Sequence, residues 1–200
     1  MNAVDALNGT LADFLCPNLA IVSVGINPSP VSVTKGYPFA SSRNRFWPAL
    51  NQSKLSAAQR PASIDSMHRL LEIDRIGFTD IVKRPTRQAN ELRVADYRAG
   101  AQTLLEKLTA CDPMIVWFQG MLAARAFFKY SESSSKYSPR WGAQEVPGLT
   151  YRVFVSPNPS PANASYSLTD LIGCYDELAA YRKIVSATDG CKVVGRRDDG

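Results

Sequence analysis

Apolar residues along this chain fall into two kinds of pattern. Short, largely apolar runs rich in β-branched residues recur at 19–25, 76–82, 114–119 and 151–156, each bounded by Pro, Gly or polar residues; such runs predict strands buried on both faces. Between them lie stretches with helical spacing, predicting helices over 4–15, 45–52, 63–72 and 94–108, a short one from Gly120 through Phe128, and a last one opened by Ser167-Leu-Thr-Asp170, a capping-box start. In the 94–108 helix, Tyr97, Ala101, Leu104, Leu105 and Leu108 make one stripe; in the last, Leu168, Leu171, Ile172, Tyr175, Leu178 and Ala179 do the same. Strands alternating with helices predict an α/β three-layer sandwich, a mostly parallel central sheet with helices on both faces. Residues 26–44 and 131–139 read as loops, and from Ala187 to Gly200 the chain turns polar and reads as a disordered tail after a single domain over 1–186.

Two of the strand-like runs end in the same tetrapeptide, Asn-Pro-Ser-Pro, at 27–30 and 158–161. Ligands of open α/β sheets bind beyond the carboxyl ends of the strands, so Asn27 and Asn158 are placed to face one pocket. An Asn before Pro is also a common turn former, and on the motif alone that reading is the commoner one. Tyr37 and Phe39 sit in the long first loop, where rings either pack on the core or offer a stacking surface to a flat ligand.

Length and composition narrow the class. Two hundred residues, 45% hydrophobic and 20% charged, describe a globular domain with no run long enough to span a bilayer and no secretory leader, hence an expected cytoplasmic protein, nucleoid-associated if bacterial. Cys16, Cys111, Cys174 and Cys191 are scattered without a C-x-x-C pair, and His68 is the single histidine, on a helix-like stretch. Zinc knuckles, iron–sulfur motifs and histidine triads are therefore not supported, and no cofactor is expected. The net charge of +5 favours a polyanionic partner, the more so because Lys83, Arg84 and Arg87 flank a Pro-interrupted loop and Arg43 and Arg45 adjoin Phe46 and Trp47.

Gly25-Ile-Asn-Pro28, Gly36-Tyr-Pro-Phe-Ala40, Asn44-Arg-Phe-Trp47, Arg84-Pro-Thr86 with Ala89-Asn-Glu91, the Trp117–Gly120 strand end and the Pro157–Ser160 turn follow one another in an order that resembles the mismatch-specific uracil/thymine DNA glycosylases of the uracil-DNA glycosylase superfamily. The resemblance covers about 19–185 and implies a monomeric, cofactor-free enzyme that flips uracil out of DNA and hydrolyses its glycosidic bond. It implies catalytic roles for Asn27, which would hold the attacking water, and for Asp80, on the pocket wall. Gly25, Ile26, Phe39 and Asn158 would bind the base, with Phe39 as the stacking ring. Ser32, Arg43, Lys83, Arg84, Arg87, Ser160, Pro161 and Ala162 would contact DNA. Three positions depart from the family: Ser29 stands where Gly is usual, Pro161-Ala162 where some members have a Gly-Leu wedge, and Asp80 where Asn or Lys is frequent. Read without the family, Asp80 is a helix cap or a surface carboxylate paired with Lys83 or Arg84. A base-binding module that does not cut is the alternative function. A nucleotide hydrolase is disfavoured, since neither G-x-x-x-x-G-K-[ST] nor G-x-G-x-x-G occurs.

Overall fold

Five strands form one sheet in the order β2-β1-β3-β5-β4. In chain order the elements are β1 (Ile21–Gly25), α1 (Pro30–Lys35), α2 (Phe46–Gln52), α3 (Ile64–Glu72), β2 (Ile76–Asp80), a 3-10 turn (Ala89–Glu91), α4 (Val94–Cys111), β3 (Ile115–Gln119), α5 (Met121–Tyr130), β4 (Gly142–Gln144), β5 (Arg152–Ser156) and α6 (Leu168–Val194). The computed structural model describes residues 9–131 and 137–194. β1 pairs in parallel with β2 and β3, β3 in parallel with β5, and only the short edge strand β4 runs antiparallel.

The largely apolar runs are explained by burial on both faces. Along each strand alternate side chains point to opposite sides, so Ile21, Ile76, Phe78, Ile115, Trp117 and Phe154 enter one core while Val22, Val24, Val116, Phe118, Val153 and Val155 enter the other. The first core is closed by α2, α3 and α6 through Phe46, Leu50, Met67, Leu70, Leu171, Tyr175 and Leu178. The second is closed by α4 and α5 through Leu104, Leu108, Phe127 and Phe128. The capping box of α6 forms as the sequence predicts, Ser167 N–H donating to Asp170 Oδ2 at 2.7 Å and Asp170 N–H to Ser167 Oγ at 3.1 Å.

Four predicted elements differ. The expected first helix is absent over its described residues, 9–15; Phe14 instead forms an antiparallel bridge with Phe78, its N–H donating to Phe78 O at 2.9 Å and its O accepting at 2.8 Å. Residues 4–8 lie outside the described part. The first long loop contains α1, begun by Ser29, whose Oγ accepts from Ser32 N–H at 3.2 Å, and ended by Gly36 at φ 76°. β4 was unanticipated, lying just past the Ser-rich loop, most of which (132–136) is outside the described residues. α6 continues through Val194, where a polar tail is expected from Ala187; residues 195–200 lie outside the described part. No helix among the described residues is long and apolar enough to cross a membrane.

Candidate active site

The chain leaves β1 toward β2 on one side and returns with β3 on the other, so the strand order reverses at β1, the position where a crevice opens beyond the carboxyl ends of a parallel sheet. A cleft of about 1340 Å³ lies there. Its floor is formed by strand ends and the residues just past them: Gly25, Ile26 and Asn27 after β1, Asp80 at the end of β2, Gln119 and Gly120 at β3, and Asn158 after β5. Phe39, Arg43, Arg87, Ser160, Pro161 and Ala162 also line it. The two Asn-Pro-Ser-Pro turns thus face one cavity.

Asn27 is held by both amide hydrogens. Nδ2 donates to Thr86 Oγ1 at 2.8 Å and to Arg84 O at 3.0 Å, tying the turn after β1 to the loop after β2. Oδ1 accepts no hydrogen bond among the described residues. An amide has no proton-accepting charge near neutrality, so Asn27 can orient a water and is a poor base.

Phe39 adopts φ 58°, a left-handed conformation that costs free energy in a residue with a Cβ and that recurs where surrounding structure holds a functional side chain in place. Its ring stacks on Phe46, centroids 4.1 Å apart and planes inclined by 16°, and meets the edge of Phe78 at 6.1 Å. Tyr37 differs: it is buried, and its hydroxyl donates to Ala62 O at 3.0 Å, so of the two loop rings only Phe39 lines the cleft.

Asp80 is neither a helix cap nor a surface ion-pair partner. Lys83 donates instead to Asp13 at 2.8 Å, beside Lys107 at 2.6 Å and the Thr79 hydroxyl at 2.6 Å. Arg84 is taken by Asp96 at 2.6 Å and Glu91 O at 3.0 Å. The Asp80 carboxylate lies over Gly25, where an added Cβ would come within 2.3 Å of Oδ1, so the glycine makes room for the acid. Burial pushes its pKa up to about 6; the positive charge of Lys83 opposes the rise, Asp13 adds to it, and Lys107 opposes it. Burial alone would also raise Asp13, but Lys83 and Lys107 outweigh it and hold that carboxyl below its usual range.

The expected DNA contacts separate into groups. Arg43 and Arg87 line the cleft without a carboxylate partner among the described residues. Lys83 and Arg84 do not line it and are consumed in the ion pairs above. Ser32 lines the cleft but is largely buried, and its Oγ accepts from Ser29 Oγ–H at 3.1 Å, so that hydroxyl also organises the loop. Ser29, the departure from the usual glycine, is thereby explained as the cap of α1. Arg45, grouped by sequence with the phosphate-gripping cations, is turned inward: its guanidinium donates to Ser160 O at 2.8 Å, Asn163 O at 2.7 Å and Tyr166 O, clamping the loop that follows β5. Asn158 keeps part of its turn-forming role, since Oδ1 accepts from Ser160 N–H at 2.8 Å; Nδ2 remains a donor. Gly120, at φ 113°, passes beneath it, and a Cβ there would meet Asn158 Cβ at 3.3 Å.

Among the lining residues that sequence reasoning did not single out are Gln119, Trp141 and Tyr166. An amide closing an otherwise apolar strand was a usable signal for Gln119. Trp141, whose ring meets Tyr166 edge-on at 5.8 Å, follows the Ser-rich loop and carried no periodic pattern.

The sequence model of the uracil DNA glycosylase superfamily matches residues 12–183. Among solved structures, the fold is similar to the solution NMR structure of a candidate uracil DNA glycosylase from Methanosarcina acetivorans, with a TM-score of 0.53 and 18% identity over 84% of this chain and 96% of that one.

Proposed function

The chain belongs to the uracil DNA glycosylase superfamily, and on that premise we propose that it is a monofunctional glycosylase that takes uracil flipped out of DNA and hydrolyses its N-glycosidic bond. The observation that carries this reading is the convergence of Asn27, Phe39 and Asp80, from three separate segments, on one cleft at the carboxyl ends of the strands.

A base inside a duplex is out of reach, so it must be extruded and stacked, and Phe39, braced by Phe46, supplies the stacking face. Cleavage leaves negative charge on the departing base and positive character on the sugar. Backbone N–H groups around Ile26 and the free Nδ2 of Asn158 are the donors available to the base anion. Oδ1 of Asn27 holds the attacking water. The water oxygen bonds to C1′ as the C1′–N1 bond breaks, its proton passes to Asp80, and the electron pair of the broken bond leaves with the base. Asp80 serves only when ionised, which its pKa of about 6 allows at neutral pH. Directing the carboxylate to the water also keeps its charge away from the base anion.

A labelled duplex carrying one uracil, incubated with the protein and then treated with alkali, tests the reading directly. Strand scission at the uracil is expected. Tight binding of that duplex without scission would replace the enzyme with a module that reads a flipped base and does not cut.

A further inference from the structure

Five buried side-chain polar atoms lack a hydrogen-bond partner among the described residues, on Trp47, Arg60, Gln119, Tyr151 and Tyr175, and only Gln119 lines the cleft. Gln119 is 1% exposed; its Nε2 donates to Ser23 Oγ at 2.9 Å, and its Oε1 is the orphan. A buried carbonyl without a donor costs free energy, and on a residue that lines the cleft a ligand's N–H can offset that cost. The position is also central: Gln119 ends β3, beside β1 at the reversal of strand order and level with Ser156 of β5.

We propose that Gln119 is a specificity-determining residue whose Oε1 accepts the N3–H of the flipped base. This rests on the glycosylase reading above. Within a sugar-linked uracil, N1 carries the sugar, so N3–H is the single N–H on the ring and an acceptor-only atom can meet nothing else there. Ser23 holds Nε2 of the planar amide, which leaves Oε1 of the same group as its one uncommitted atom at the cleft floor. The assignment divides labour between two acceptors: Gln119 reads the base, and Asp80 is left for the water. Substrates are then pyrimidines with an imide N–H, uracil foremost, in preference to ring nitrogens without hydrogen.

The test pairs an enzyme substitution with a substrate substitution. Single-turnover excision is measured for the native protein, Gln119→Leu and Ser23→Ala on duplexes carrying uracil or 3-deazauracil, which replaces N3–H by C–H. Affinities are measured on the 2′-fluoro counterparts, which resist hydrolysis. The native protein should favour the N–H base by roughly tenfold or more, as expected when a buried acceptor is left unmet. Gln119→Leu, close in volume, should lose that preference while retaining the slower activity on both bases, and Ser23→Ala should blunt it by freeing the amide. Equal losses on both bases would make Gln119 a packing residue and overturn the proposal, as would an unchanged preference in Gln119→Leu. If the native protein binds the 2′-fluoro duplexes with the N3–H preference but cuts neither base, the base-reading role stands and the glycosylase reading falls. If it cuts uracil without preferring N3–H, the reverse holds.

Discussion

In the mechanism proposed above, Asn27 and Asp80, which line one cleft, divide the handling of one water between an amide that cannot take its proton and a carboxylate that can. Asn27→Ala should lower uracil excision by orders of magnitude and leave DNA affinity nearly unchanged, because the water is held in the transition state and contributes little to ground-state binding; parallel filter-binding and rate measurements check this. For Asp80, the folded-state pKa of about 6 lies above its ordinary value, so the native state favours the protonated form. Stability from this group is therefore fully present below about pH 4 and lost as pH rises through about 6, by an amount of order 1 kcal/mol once access of water from the cleft is allowed for. Activity runs the other way, with an acid limb near pH 6. Asp80→Asn should flatten that limb, cut the rate substantially, and be more stable than the native protein at pH 8 but not at pH 4, as read by urea unfolding. Gly25→Ala should mimic the loss of rate by displacing the carboxylate from above the glycine. The two asparagines and Asp80 stood out in the sequence through repetition and resemblance. That Asp80 forms no ion pair with Lys83 or Arg84 did not, because it depends on Asp13 and Asp96, distant in the chain, claiming those cations.

At the level of elements, the loop after β5 depends on a side chain from the start of α2. Arg45 donates its guanidinium hydrogens to four carbonyls of that loop, those of Pro159, Ser160, Asn163 and Tyr166, a geometry that the single ammonium of lysine cannot reproduce. Arg45→Ala and Arg45→Lys are both expected to lower stability by roughly 2–4 kcal/mol and to speed amide exchange in residues 158–166. The loop tip carries Pro161, which has no N–H to offer an unpaired guanine, and exposed Ala162, a small wedge. Uracil opposite adenine should consequently be cut nearly as fast as uracil opposite guanine, and a strong guanine preference in matched duplexes would disprove this. Strands β1, β2, β3 and β5 and the long helices were legible because burial on two faces or on one stripe leaves a periodic trace. The Phe14 bridge and three-residue β4 were not, since each is fixed by a partner far away in sequence and leaves too short a pattern to detect.

For the molecule as a whole, the net charge of +5 does not measure how many cations stand at the cleft. Lys83 and Lys107 neutralise Asp13, and Arg84 neutralises Asp96, leaving Arg43 and Arg87 as the uncommitted cations at the cleft among the described residues. Log affinity should therefore fall only shallowly with log salt. Arg43→Gln and Arg87→Gln should each reduce the slope by about 1, whereas Lys83→Gln should leave it unchanged while moving the acid limb of the rate profile upward, because Lys83 opposes the rise in the Asp80 pKa. The same arrangement of aromatic residues equips the protein with an optical reporter. Of its three tryptophans, Trp47 and Trp117 are enclosed in the core, while Trp141 at the cleft is 48% exposed. A charged collisional quencher such as iodide, excluded from the core, meets that indole far more often than the other two, so a ligand that covers Trp141 should lower the quenchable fraction of the emission, and occupancy can be followed in real time without a label on either molecule.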